Sequence, residues 1–294
     1  MKGLVLSITA GQGHNQTAMV ISKRFNECGV ECKYLDVYKF INPILSDSVN
    51  KIYLMSTKAI PKIYGGVYRM CEKRGVQSGA GIHGLNRITN SVLSRSLIKL
   101  IQKEKPDFII CTHIFAALLV TYISSIERLN AKTIGVITDF TIHPYWEDSL
   151  LDYYIIANER LTIQGIKKGF PENKFLPLGI PIGTKFSRKI EKSKAKEILN
   201  LHSKHTILVM SGSMGFGAVY KEIEELDKLD MDFEIVSVSG NNKKLKTKID
   251  SMETRKKIYS YGYINNVDVF MDACDCIITT VSYTHLRAHE TGAY

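Results

Sequence analysis

Short runs of almost continuous apolar residues alternate along this chain with longer stretches in which apolar and polar positions mix at helical spacing. The runs GLVLSITA (3–10), CKYLDVY (32–38), DFIICTH (107–113), KTIGVIT (132–138) and YYIIAN (153–158) predict strands. Helical stretches at about 15–28 and 115–129, and a long basic region before the third strand, separate them. A strand that is apolar at consecutive positions is buried on both faces. The pattern therefore predicts a parallel sheet with helices on each side.

The segment FPENKFLPLGIPIGTKF (170–186) interrupts this rhythm with three prolines and two glycines and reads as a linker. The alternation then restarts with TILVMSGSMGFG (206–217), FEIVSVSG (233–240), KIYSYGY (257–263) and CDCIIT (274–279), each followed by a helical stretch except the last. At 294 residues the chain exceeds one compact core. The expected class is α/β, with two Rossmann-like doubly wound domains over 1–186 and 187–280, the second incomplete. Residues 281–294, VSYTHLRAHETGAY, show no apolar periodicity and look like a translated sequencing adapter. They are read as a foreign tail.

Charge changes the picture once it is located. The net formal charge is +10, and residues 51–105 alone hold 11 basic residues against two acidic ones, Glu72 and Glu104. Within KIYLMSTKAIPKIYGGVYRMCEKR (51–74), Lys58, Lys62, Arg69, Lys73 and Arg74 alternate with tyrosines and aliphatics. That mixture suits an anionic bilayer surface, and no nucleic-acid motif accompanies it. No run of eighteen apolar residues is present, and the opening MKGLVLSITA reads as a buried strand instead of a leader. The six cysteines form no C-x-x-C pair and are expected as reduced thiols.

Candidate chemistry gathers at strand ends. The first strand runs into AGQGHNQTA, where Gly11 and Gly13 are followed by Gln16 in place of the third glycine of a dinucleotide fingerprint. This turn presents His14 at the start of a helix, where the dipole favours a neutral imidazole able to take a proton from a hydroxyl. Asp139, His143 and Trp146 follow the KTIGVIT strand, and His113 ends its neighbour. A turn or cap role is the plain alternative for each one singly. Three polar clusters at the ends of strands in one domain favour a site. No H-E-x-x-H or similar spacing points to a metal, and no Walker lysine is present. In the second half, Ser211, Gly212, Ser213, Met214 and Gly215 lie between a strand and a helix, where backbone N–H groups suit a diphosphate.

Taken in order, GQGHNQTA, PDFIICTH, TDFTIHPYW, IANE (156–159), GIPI (179–182), SGSMGFG and YGYINNVDVFMDACDCIIT (261–279) resemble the diacylglycerol glycosyltransferases. These are the bacterial processive glucosyltransferases and plant monogalactosyldiacylglycerol synthases of glycosyltransferase family 28. The resemblance covers nearly all of 1–280 and implies a GT-B fold, with acceptor lipid on the first domain and UDP-sugar on the second. It implies His14 as the base, Asp139 as a second member of the acceptor site, and backbone near Tyr263 and Ile264 meeting the uracil. Gly13, His113, His143 and Trp146 would line the acceptor. The partners implied are diacylglycerol, a UDP-sugar (glucose favoured) and the inner face of the cell membrane, with no metal or cofactor.

The Lys/Arg-Pro-Gly-Gly loop and the Thr–acid pair of the family do not follow CDCIIT; Glu290 is no substitute. The 294-residue chain is therefore expected to transfer no sugar. Two alternatives stand beside this reading: a family-28 N-acetylglucosaminyltransferase acting on a lipid-linked peptidoglycan precursor, and a nucleotide-dependent Rossmann oxidoreductase or binding module.

Overall fold

A computed structural model describes residues 1–9, 13–41, 94–202, 205–211 and 218–279. The chain divides into two units, Met1–Ile182 and Gly183–Tyr294.

The first unit opens with strand β1 (Lys2–Ser7) and helix α1 (Gly13–Glu27), then β2 (Glu31–Asp36) and a short helix α2 (Val37–Ile41). Helix α3 covers 94–104. It is followed by β3 (Phe108–Cys111), α4 (Ile114–Ile126), β4 (Lys132–Val136), β5 (Tyr153–Ile155), α5 (Arg160–Lys167) and β6 (Phe175–Leu176). The sheet order is β2-β1-β3-β4-β5-β6, with every pairing parallel. The alternation of side chains across a strand sorts the apolar runs onto two faces. Leu4, Leu6, Ile109 and Cys111 join one core layer, whereas Val5, Phe108, Ile110 and Val136 join the other. Both layers are covered, which is why these runs carry no polar face.

In the second unit, α6 (Lys192–Ile198) precedes β7 (Thr206–Met210), α7 (Val219–Asp227), β8 (Glu234–Val238), α8 (Lys243–Asp250), β9 (Ile258–Tyr261), α9 (Val267–Ala273) and β10 (Cys276–Thr279). Its parallel sheet has the order β10-β7-β8-β9. Again the strands split by parity: Leu208, Met210, Val236 and Val238 face one layer, Val209 and Ile235 the other.

Three expectations change. The CKYLDVY strand stops at Asp36, because Asp36 Oδ1 accepts the backbone N–H of Lys39 and the chain coils into α2. The segment beginning at 170 is part of the first unit rather than a free linker. Phe170 and Phe175 are buried there in the core, and β6 extends the sheet by pairing with β5. The YYIIAN strand is shorter than its apolar run, ending at Ile155. Helix α1 ends where Gly29, at φ 79, reverses the chain and lets Val30 N donate to Phe25 O at 2.9 Å. The five described cysteines are all unpaired thiols. Among the described residues, no helix is long and apolar enough to cross a membrane.

Candidate functional site

From β1 the chain moves outward to β2 and then returns to the other side of β1 for β3. The loops leaving the carboxyl ends of β1 and β3 therefore run in opposite directions, and a crevice opens between them. His14 follows β1, His113 follows β3, and Thr138, Asp139 and His143 follow β4. The switch point thus brings together residues from three distant stretches.

His14 is held by its Nδ1 atom. The carbonyl oxygen of Thr112 lies 2.9 Å from it, and Thr138 Oγ1 lies 2.9 Å from it as well. A carbonyl oxygen can only accept, so Nδ1 carries the proton. In the neutral ring the lone pair is then on Nε2. Burial pushes the His14 pKa below its ordinary value, against the opposing charge of Asp139 and the hydrogen bond to Thr112. The ring is thereby kept as a neutral acceptor of protons at physiological pH.

The turn that carries His14 is tied on both flanks. Thr112 Oγ1 donates to His14 O at 3.0 Å, anchoring the first turn of α1 to the end of β3. On the other flank Thr9 donates to Asp36 Oδ2 through both its backbone N–H and its hydroxyl, and Asn15 Nδ2 donates to Thr9 Oγ1 at 2.7 Å. Gly13 is the first residue of α1, and its carbonyl accepts from Thr17 Oγ1.

His113 and His143 have a different task for the same ring atom. His113 caps α4, its Nδ1 accepting from Phe115 N at 3.2 Å. His143 caps the 3-10 turn Pro144–Asp148, its Nδ1 accepting from Tyr145 N at 3.2 Å. An acceptor nitrogen is unprotonated, so both neutral rings carry their proton on Nε2. Burial holds the His113 pKa well below the ordinary range, with His14 and His143 adding like-charge repulsion. His143 is lowered too, chiefly by burial, while Asp139 opposes the shift. His14 and His113 rings meet edge to face with centroids 4.7 Å apart, and Phe115 and Tyr145 stack tilted beside them. Asp139 is exposed, and its carboxylate acts on His14 and His143 through its charge.

Trp146 is placed differently from the rest. Its ring is buried in the first core, edge-on to Tyr154. Gly135 leaves it room, since a Cβ there would stand 2.9 Å from Trp146 Cζ3. The indole supports the 143–149 turn from below and offers no exposed face.

In the second unit Ser211 is buried at the end of β7, its N–H donating to Val238 O at 3.3 Å and its Oγ sealed without a partner. Tyr263 is exposed, and Ile264 packs against the second core. Gly212, Ser213, Met214 and Gly215 lie outside the described residues, as do Lys58, Lys62, Arg69, Lys73, Arg74 and the tail from 280. No group of metal-binding side chains occurs among the described residues.

Thr112, Thr138 and Asp36 are the supports that sequence reasoning missed. A signal existed: a threonine directly precedes both His113 and Asp139 at a strand end.

The monogalactosyldiacylglycerol (MGDG) synthase family matches residues 14–182. The chain is similar to the processive diacylglycerol beta-glucosyltransferase of Bacillus pumilus (strain SAFR-032), 28% identical over 290 residues, covering 95% of this chain and 72% of that protein. The enzyme of the same name from Bacillus cereus (strain AH187) is 25% identical over 285 residues, covering 95% and 71%. Among solved structures, Anabaena Alr3699/HepE in complex with UDP superposes with a TM-score of 0.56 at 12% identity, covering 94% of this chain and 73% of that one. Acinetobacter baumannii MurG gives 0.55 at 12%, covering 95% and 71%. These structural likenesses establish the GT-B fold. The family match includes His14, His113, Asp139 and His143, the residues gathered at the switch point. The chain belongs to the monogalactosyldiacylglycerol synthase family of glycosyltransferases.

Proposed function

We propose that this sequence encodes a transferase that moves a hexose, glucose in the first instance, from a UDP-sugar to the free hydroxyl of diacylglycerol with inversion. The observation that carries the proposal is the fixed ring of His14, with Nδ1 committed to Thr112 O and Thr138 Oγ1. Nε2 takes the hydroxyl proton as the acceptor oxygen attacks the anomeric carbon. The bond from that carbon to the diphosphate breaks on the opposite face, and UDP leaves with the electron pair. An α-linked donor thus yields a β-linked glycolipid. Main-chain N–H groups of the loop that follows Ser211 would stabilise the departing diphosphate, so no metal is assigned to the step. Relatives named as diacylglycerol glucosyltransferases support glucose and diacylglycerol. With the family established, the oxidoreductase reading falls away.

The reading extends to place. The basic stretch at 51–105, with Tyr53, Tyr64 and Tyr68 among its lysines and arginines, would dock the enzyme on anionic lipid at the cytoplasmic face of the cell membrane, where its acceptor resides.

The test uses an extended protein in which residue 279 is followed by the C-terminal remainder of the Bacillus pumilus relative. Given labelled UDP-glucose and diacylglycerol, it is expected to form a β-glucosyl lipid, more slowly with UDP-galactose. An α-linked product, or none with either donor, overturns the proposal.

A further inference from the structure

We propose that His14 and His113 form a donor–acceptor pair that recognises one hydroxyl, His14 Nε2 accepting its proton and His113 Nε2–H donating to its oxygen. The inference deepens the acceptor site and rests on the transferase reading.

The observations come from opposite duties of the same ring atom. His14 Nδ1 faces a carbonyl oxygen and must be protonated, whereas His113 Nδ1 receives an amide N–H and must not be. The two neutral rings are consequently opposite tautomers. One holds a lone pair on Nε2, the other an N–H. The centroids are 4.7 Å apart, edge to face, so the two groups can reach a single small polar atom between them.

Neither Nε2 has a protein partner among the described residues. His113 is 6% exposed, yet its Nε2 is absent from the sealed polar atoms that lack a partner. That N–H is therefore open to solvent, where water holds the position that a ligand group can take. A hydroxyl is the functional group that matches, because it donates and accepts at once. A carboxylate or phosphate would meet His113 but leave the lone pair of His14 facing an acceptor. A methyl ether would leave His14 without a proton to take. The pair therefore selects a hydroxyl before any chemistry begins, and it points one oxygen lone pair away from His113 for attack.

His113 is in this account a positioning residue with a fixed tautomer, and its cap on α4 is what fixes it. The test is made on the chain itself, with 15N-labelled histidine. At pH 7.5, long-range 1H–15N spectra are expected to show the proton on Nδ1 for His14 and on Nε2 for His113. Addition of 1,2-dioctanoylglycerol in micelles should shift both Nε2 signals. The 1,2-dioctanoyl ester of propane-1,2-diol, which lacks the hydroxyl, should leave them in place. His113→Asn keeps a capping oxygen for Phe115 N–H but has no donor at the Nε2 position. It is expected to weaken binding of dioctanoylglycerol about 5- to 10-fold, the scale of one buried hydrogen bond, with the helix intact. The same tautomer on both rings, equal shifts with both probes, or unchanged binding in the folded Asn variant overturns the pair. Opposite tautomers with no response to either probe also remove the proposal, and they do so by striking the diacylglycerol reading beneath it.

Discussion

Thr138 Oγ1 lies 2.9 Å from His14 Nδ1, joining the turn after β4 to the turn after β1 across 124 positions of sequence. The contact shares the Nδ1 proton with Thr112 O and steadies the ring plane. Thr138→Val keeps the side-chain volume and deletes this partner. In the extended protein it is expected to lower turnover about 3- to 10-fold, the scale of one hydrogen bond, with little change in KM for UDP-glucose. Thr138→Ser should restore the rate. A valine variant as fast as the original would show that Thr112 alone orients the ring.

Removing the proposed base is expected to cost more. His14→Ala is expected to reduce turnover about 10²-fold or more, the usual contribution of a general base. UDP binding, measured by calorimetry, should be nearly unchanged. A variant that keeps most of its turnover takes His14 out of the reaction.

Asp139 acts on His14 at a distance, and its charge favours the protonated ring. Asp139→Asn removes that influence, so the His14 pKa should fall further. The acid limb of the rate–pH profile would then move to lower pH, never to higher. The plateau rate should fall modestly as the base becomes weaker. A limb moving upward would contradict the sign of this coupling.

Stability carries the same chemistry. His113 and His14 are depressed from their ordinary value of 6.5 in the folded protein, while the unfolded chain recovers that value. Below it the unfolded state binds more protons, so their contribution is full above about pH 6.5 and is lost as pH falls. Each buried ring should add a slope of about 1.4 kcal/mol per pH unit down to its folded-state pKa. Urea melts at pH 7.5, 6.0 and 5.0 measure the slope. His113→Asn, which retains a cap, should flatten it, and an unchanged slope would place the titrating group elsewhere.

The basic stretch offers a test independent of turnover. Binding to vesicles should require anionic headgroups and weaken as salt shortens the Debye length below about 10 Å. Changing Lys58, Lys62, Arg69 and Lys73 to Glu should abolish it. Salt-independent binding to neutral vesicles would mean apolar insertion instead.

Much of this architecture was legible because doubly covered strands leave an unmistakable trace. FIIC and TILVM have no polar face to confuse with a helix, and their observed strands fall inside the runs read from sequence. Two elements were hidden for physical reasons. Helix α2 follows β2 without a break, and the bond that Lys39 N–H donates to Asp36 Oδ1 marks the change. Strand β6 has two residues between prolines, too few to show a period. At the site, His14, His113, Asp139 and His143 were visible as polar residues at strand ends. Thr112 and Thr138 left only the trace of a threonine before each turn, which is ordinary until its partner is known. Trp146 misled for a related reason. An aromatic amid polar residues looks available, and the space that Gly135 leaves for it depends on pairing between β3 and β4.

Because His113 uses one ring nitrogen to hold the start of α4, the proposed pair would put position 113 under two demands that no other single residue type meets together. Serine, threonine, aspartate and asparagine can hold the helix, but none carries an N–H on the far side of a ring. A library randomised at this position should therefore separate into two populations. One would fold and lose its grip on the lipid alcohol, and the other would lose the helix start. Histidine should stand alone between them, so that selection for a sturdier protein at position 113 steadily drains the enzyme of its hold on the acceptor.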